Sequence, residues 1–495
     1  MKYDLETAAH PEQLRRVAID PVTRVEGHGK VTILLDAANR VHQVRLHIVE
    51  FRGFEKFIQG RPYWEVPVMV QRLCGICPVS HHLAASKALD MIVGARQLTP
   101  TAEKIRRLMH YGQILQSHAL HFFHLASPDL LFGFDSDVAQ RNVIGVIAAH
   151  PDIAKKGVLL RKYGQEVIRM TAGKRVHGTG AIPGGVNKSL TGEERAALLK
   201  DIYQMVSWSR EAIQLIRGLF ETHLDFYNGF GRFDAHRMSL VRADGAMDLY
   251  HGGLRVCRSD GTTLFDHFDY TRYWDAISED VKPWSYMKFP FLRALGDKDG
   301  WYRVGPLARV GNCDFIPTPL ADRERVEFLA FDEGRAAGAT LGYHWARMIE
   351  MLHAAESIKD LLHDDDIEGT ELMAGGERAE RGVGVIEAPR GTLIHHYRVD
   401  EHDQVIRANL IVSTTHNNQA MNTAVREVAR QYIDGRLLTE SLLNRIEVAI
   451  RAFDPCLSCA THALGRMPLE VTLVDAGGVS IDRIVRSSSG EICRP

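Results

Sequence analysis

Cys74 and Cys77 in "RLCGICPVSH" (72–81) and Cys456 and Cys459 in "DPCLSCATH" (454–462) form two Cys-x-x-Cys pairs, each trailed by a histidine. Sulfurs three residues apart project from one side of a helical turn or knuckle, so each pair is half of a site for a soft metal. Four thiolates select zinc, an iron–sulfur cluster or a soft transition metal. Zinc ribbons keep their pairs roughly 15–20 residues apart, whereas 379 positions separate Cys77 from Cys456 (456 − 77). Iron–sulfur clusters draw several ligands from one local run. A site stitched from opposite ends of a chain reads as a buried functional centre. His81, four after Cys77, and His462, three after Cys459, are spaced to approach the same metal or a coordinated sulfur. Cys257, Cys313 and Cys493 are isolated, and seven cysteines in a large chain do not make a disulfide framework.

The scaffold must therefore fold residue 74 onto residue 456. The 495 residues are 45% apolar and 25% charged, an ordinary globular composition. A formal net charge of −2 gives no footprint for nucleic acid or an anionic membrane. No run of about 18 apolar residues suggests a membrane span, and the N-terminus has no apolar signal core, so the expected location is cytoplasmic. "GKVTILLDAANRVHQVRLHIVEF" is two β-rich runs around a polar turn at Asp36–Asn39. Residues about 65–97 suit a helix containing the first cysteine pair. Thr99-Pro100 is a helix start, and Thr191 with Glu194 a capping box before a helix reaching about Phe226. Residues about 320–363, broken by a few glycines, and 417–453 are helical, with strand and loop between them at "EAPRGTLIHHYRV" and "VIRANLIVSTTHNN". The tail returns to β around Asp475–Gly478. The glycine-rich 177–186 lacks the flanking strand and helix of a dinucleotide fingerprint and reads as a tight packing turn. The expected fold is mainly α with peripheral β (α+β), one large helical domain.

The two cysteine motifs together resemble the paired signatures of the nickel–iron hydrogenase large subunit, Arg-x-Cys-Gly-x-Cys-x-x-x-His and Asp-Pro-Cys-x-x-Cys-x-x-His. "DPVTRVEGHGKV" (20–31), "FRGFEKF" (51–57), "GPLARV" (305–310) and "EAPRG" (387–391) resemble further blocks of that family in the right order. "VEFRGFEKFIQG", "ICPVSHHL", "GKRVHGTGAIPGGVNKSL" and "DPCLSCATHALGRMPLEV" look most like its soluble, NAD-reducing bidirectional branch.

The resemblance implies terminal nickel ligands at Cys74 and Cys456, and Cys77 and Cys459 bridging nickel and iron. The iron would also carry carbon monoxide and cyanide. His81 would hydrogen-bond a bridging sulfur, that of Cys459. Glu55 and His462 would bind magnesium, which suits hard ligands. Heterolytic cleavage of H2 yields a proton that needs a base beside the metal, and a metal-bound thiolate is already deprotonated. Cys456 would take that proton first and Glu26 would carry it onward. Arg390 would hold its guanidinium over the open metal position, partnered by Asp454. Thr414 would donate to one cyanide, and backbone near Pro389 and Arg390 would serve the other. Iron–sulfur clusters would sit on a small-subunit partner, and FMN and NAD on a flavoprotein (diaphorase) partner. A maturation endopeptidase would remove a C-terminal extension, 463–495, leaving 1–462 as the hydrogenase domain.

Two positions depart from membrane-bound relatives. Ser413 stands where proline is frequent, and Ser117 where aspartate is frequent, so the canopy over the site lacks one carboxylate. Rival expectations are another cytoplasmic hydrogenase branch with an NADP, deazaflavin or sulfur-compound acceptor, a non-catalytic structural subunit, and a plain zinc-binding scaffold.

Overall fold

Three antiparallel strands, Arg15–Ile19, Gly29–Leu35 and Val41–Ile48, pair in sequence order at the start of the chain. Val31, Ile33 and Leu35 point inward and alternate with half-buried neighbours, the period-2 pattern of a sheet with one face on a core. Asp36 sets the expected turn, its Oδ1 accepting from the Ala38 and Arg40 amides at 2.8 and 2.9 Å. The computed structural model of the chain describes residues 8–461 and the strands Leu469–Val474, Ser480–Arg486 and Ile492–Cys493.

Helices dominate the rest of the molecule: the chain is 50% helix and 19% strand, as the mainly α reading requires. Pro100–Leu120, Pro151–Ala172, Gly192–Thr222 and Gly342–Leu362 pack on one another as the central body. Thr99 caps the first of these, its Oγ1 accepting from the Ala102 amide at 3.2 Å. Thr191 and Glu194 form the capping box of the third. The Pro78–Ile92 helix lies against the antiparallel meander Arg381–Ala388, Gly391–Val399 and Val405–Ile411. A Cβ on Gly384 would stand 2.3 Å from the Ala84 carbonyl oxygen, so glycine lets this strand touch the helix backbone. A further sheet, His236–Val241, Gly253–Cys257, Thr263–Phe268 and Tyr302–Arg303, has no counterpart in the sequence reading. Among the described residues no helix is long and apolar enough to cross a membrane.

Three expected helices are broken. The stretch 65–97 is a series of short turns to Leu73, then a helix only from Pro78 to Ile92. Cys74 is extended (φ −146°, ψ 139°) and Cys77 is non-helical, because Pro78 has no amide hydrogen to continue a helix and crowds the residue before it. Left-handed Asp332 and Glu333 (φ 51° and 54°) split 320–363 into Pro319–Ala330 and Gly342–Leu362. The 417–453 stretch divides into Asn418–Tyr432 and Glu440–Ala452.

The body buries many histidines in their neutral form. Burial pushes His82, His110, His118 and His353 down to about 4, and His344 and His416 to about 3, from 6.5. Between those values the unfolded chain binds more protons than the folded one, so stability rises with pH across the window and is lost as pH falls from 6.5 towards 4. Each such histidine contributes a slope of up to about 1.4 kcal/mol per pH unit. The melting temperature is expected to be flat above pH 7 and to fall steeply between pH 6 and pH 4. A melting temperature unchanged across that window would contradict these neutral, buried rings.

Candidate metal centre

The chain ends meet at the cysteines. The four sulfurs lie within 4.8 Å of one another, and all four residues are buried. Cys74 Sγ is 3.2 Å from Cys456 Sγ, Cys77 Sγ is 4.0 Å from Cys459 Sγ, and the Cys456 and Cys459 sulfurs are 2.8 Å apart. All four are free thiols. Hydrogen bonds from Cys456, Cys459 and Cys74 hold the Cys77 thiol well below its ordinary range, while burial pushes Cys456 and Cys459 well above theirs. Burial thus opposes ionisation of Cys456 and Cys459 in the protein alone. Full deprotonation requires positive charge placed among them, which is the signature of a soft-metal donor set.

Each pair sits in a break between elements. Cys74 and Cys77 occupy the knuckle before the Pro78–Ile92 helix, and the Ile76 and Cys77 amides lie 3.2 Å from Cys74 Sγ. Cys456 and Cys459 come after the Glu440–Ala452 helix, through Asp454, a left-handed residue (φ 53°), and into the turn Ser458–Ala460. An N-terminal strap closes the other side. Leu457 N donates to Glu26 O at 3.0 Å, pairing the strap with the cysteine motif. Gly27 (φ 79°) makes that approach possible, since a Cβ there would be 2.6 Å from Ser458 N. Gly27→Ala is expected to lower stability by roughly 1–3 kcal/mol, read as a fall in melting temperature. An unchanged melting temperature would mean the strap does not sit this close.

Glu26 faces the sulfurs. Its Oε2 accepts from Cys456 Sγ at 3.0 Å and from Ser458 N at 3.2 Å, and its Oε1 from Ser458 Oγ. The strap is fixed by Arg24, which donates to Asp129 Oδ1 at 2.7 Å. Asp129 also accepts from Arg451 at 2.8 Å, so one buried carboxylate ties the strap to the helix before Asp454.

Arg390 stands in the two-residue turn, Pro389–Arg390, between Arg381–Ala388 and Gly391–Val399. It pairs with Asp454 Oδ1 at 3.1 Å and donates to the Asp454 carbonyl oxygen. Burial opposes its charge, but Asp454 and the sulfurs of Cys456, Cys77 and Cys74 keep it well above its ordinary value. Burial raises Asp454 to about 6 against the pull of Arg390 and Arg347. Arg390 Nη1 and Asp454 Oδ2 are buried without a partner among the described residues. Thr414 Oγ1 accepts from Cys456 N at 2.9 Å, which leaves its hydroxyl hydrogen available. Pro389, Arg390 and Thr414 line a small cavity beside Cys77 and Cys456.

The remaining expected site residues surround this core. His81 brings Nδ1 to 3.2 Å from His395 Nε2 and is one of the neighbours that lower the Cys77 thiol. The helix explains this: His81 lies one turn after Cys77 on the same element. Glu55 is on the Phe54–Phe57 turn, accepting from Leu410 N at 2.9 Å, and burial raises it to about 7 against the pull of Lys288. The carbonyl oxygen of Thr461 accepts from Arg52 and Gly53 amides at 3.0 and 3.2 Å, which draws the end of the cysteine motif to that turn. His462 lies outside the described residues. Ser413 donates to Gly391 O at 2.6 Å, and the buried Ser117 hydroxyl has no partner among the described residues.

The sequence reading missed the buried support of the Arg390 turn. Arg309, in "GPLARV", donates to Glu350 Oε2 at 2.7 Å, Glu387 Oε2 at 2.8 Å, Ala388 O at 2.9 Å and Pro389 O at 3.3 Å. Arg309 and both carboxylates are fully buried. Glu350 lies more than 30 residues from any block of the resemblance, so only the fold reveals it.

Comparisons with known proteins agree with this geometry. A HoxL-like family model matches residues 16–51, and the model of the nickel-dependent hydrogenases matches residues 52–135 and 256–462. The NAD-reducing hydrogenase HoxS subunit beta of Cupriavidus necator is 50% identical over 487 residues, 95% of this chain and 100% of that protein. A crystal structure of an NAD+-reducing NiFe-hydrogenase in the H2-reduced state has a TM-score of 0.90 at 62% identity, covering 90% of this chain and 99% of that one. The NiFeSe-hydrogenase of Dm. baculatum shares the fold, with a TM-score of 0.73 at 23% identity over 91% of this chain and 100% of that one. Four sulfurs gathered from opposite ends of the sequence therefore belong to a known architecture, and the chain is a large subunit of the nickel-dependent hydrogenase family.

Proposed function

We propose that this chain is the catalytic subunit of a soluble, cytoplasmic nickel–iron hydrogenase that splits H2 heterolytically and reversibly and exchanges electrons with NAD through partner subunits. The observation that carries the reading is the convergence of Cys74, Cys77, Cys456 and Cys459 within 4.8 Å. Cys74 and Cys456 would be terminal ligands of nickel, and Cys77 and Cys459 would bridge it to an iron carrying carbon monoxide and cyanide. The bound metals would supply the electrophile on which H2 is polarised. Cys456 Sγ would accept the proton, and Glu26 Oε2, 3.0 Å away, would take it on towards the strap. Arg390, kept charged and braced by Asp454, would present Nη1 to the reacting position. Thr414 would aim its free hydrogen at one cyanide, and backbone around Pro389 and Arg390 would serve the other. Glu55, a buried carboxyl that a cation would hold ionised, would bind magnesium together with His462.

The 50% identity to a subunit of an NAD-reducing hydrogenase supports the partners: a small subunit bearing iron–sulfur clusters and a flavoprotein diaphorase with FMN and NAD. The complex purified with those partners is expected to reduce NAD+ under H2. A complex that oxidises H2 with artificial dyes but passes no electrons to NAD+ would contradict this branch. We also propose that a maturation endopeptidase removes 463–495, in keeping with a family match that stops at residue 462. Mass spectrometry of the metal-loaded subunit is expected to end it at His462, and an active, loaded chain retaining the extension would contradict this.

A further inference from the structure

The cavity beside Cys77 and Cys456 has two walls of different chemistry. One is the strand side, where Arg390 and Thr414 stand among apolar neighbours, and the other is the first turn of the Pro78–Ile92 helix, where Ser80 stands between Cys77 and His81. The cavity volume is ≈ 10 Å³, room for one water-sized group, so its occupant is diatomic in scale. Ser80 is fully buried, and its hydroxyl has no partner among the described residues.

A helical serine ordinarily satisfies its hydroxyl on the carbonyl one turn back. For Ser80 that is the carbonyl of Ile76, and the side-chain amides of Gln113 and Gln116 already donate to it at 2.9 and 2.8 Å. A carbonyl oxygen has two lone pairs, so both are used. The Ile76 carbonyl is closed to the Ser80 hydrogen, the hydroxyl has no other partner among the described residues, and Ser80 lines the cavity. A buried hydroxyl left without a partner is destabilising, which makes the missing partner a bound one.

We infer that Ser80 donates a hydrogen bond to a small acceptor ligand of the metal centre, in the cavity it shares with Arg390 and Thr414. The inference rests on the proposed nickel–iron function, in which the iron carries three diatomic ligands. Thr414 and the backbone at Arg390 serve the two cyanides from the strand wall, so the ligand facing Ser80 is carbon monoxide. Ser80 is a positioning residue for that ligand: a directed hydrogen bond fixes the orientation of the set and tunes the carbon–oxygen bond.

Infrared spectra of the purified complex test this, recorded for the wild type and Ser80→Ala in H2O and D2O. The expected result is the same set of bands in both proteins, with the carbon monoxide band displaced in Ser80→Ala and the cyanide bands in place. In the wild type the carbon monoxide band is expected to shift on transfer to D2O, and that sensitivity is expected to vanish in the variant. Coincident carbon monoxide bands in the two proteins would overturn the inference. So would a wild-type carbon monoxide band indifferent to D2O, a result that needs no variant. Absence of all such bands from the active wild-type complex would instead remove the nickel–iron function on which the inference stands.

Discussion

Cys456→Ser chains, purified with their partner subunits, are expected to retain almost no nickel. Serine keeps the shape of the side chain but replaces a soft, easily ionised donor with a hard hydroxyl that stays protonated. The neighbours make the loss severe. Cys456 Sγ is 3.2 Å from Cys74 Sγ and 2.8 Å from Cys459 Sγ, so it is the sulfur shared between the two chain ends. Changes to groups that only orient metal ligands cost about 10–100-fold in affinity, and loss of a ligand itself is expected to exceed that. Elemental analysis of nickel per chain is the readout. Cys313→Ser supplies the control, because the Cys313 thiol donates to the Val310 carbonyl oxygen, at 3.7 Å, and burial raises it to about 12. Wild-type nickel content in Cys456→Ser would show that the second pair does not hold the metal.

Glu26→Gln is expected to leave the metals in place and to cut H2 turnover by roughly 10²–10⁴-fold, the range for loss of a positioned proton-transfer group. The amide has the size of the carboxyl and can still contact Ser458, whose amide and hydroxyl now bond the two Glu26 oxygens. It cannot take a proton from Cys456 Sγ, 3.0 Å away. A structural role for Glu26 predicts the opposite pattern, lost stability and metal with activity falling in proportion. Nickel content and melting temperature therefore accompany the rate measurement. A variant with full metal and full turnover would remove Glu26 from the proton path.

What could be read from the sequence was chemistry of short range. Two Cys-x-x-Cys pairs with trailing histidines, the Thr191 capping box and the Asp36 turn each depend on residues within a few positions of one another. The four-sulfur cluster, the box and the turn are all present. The same local logic failed at 65–97, where helical spacing concealed the proline that breaks the helix at Cys77. The contact of Glu26 with the second cysteine motif needed the resemblance, since nothing near residue 26 points 430 positions ahead. Arg309 and Glu387 lie in two of the resembling blocks and Glu350 lies in none, but only the fold shows the three side chains fully buried together beneath the Arg390 turn. Ser80 lies inside the first cysteine motif, but nothing local shows that Gln113 and Gln116 occupy the Ile76 carbonyl four residues before it.

In the proposed function, four buried sulfurs from the two ends of the chain hold one nickel and one iron. Metal content of the purified complex, measured for the large subunit after separation from its iron–sulfur partners, addresses it directly. Nickel and iron present in equal amounts, with no zinc, is the predicted result; a subunit that carries zinc alone in active preparations would contradict it.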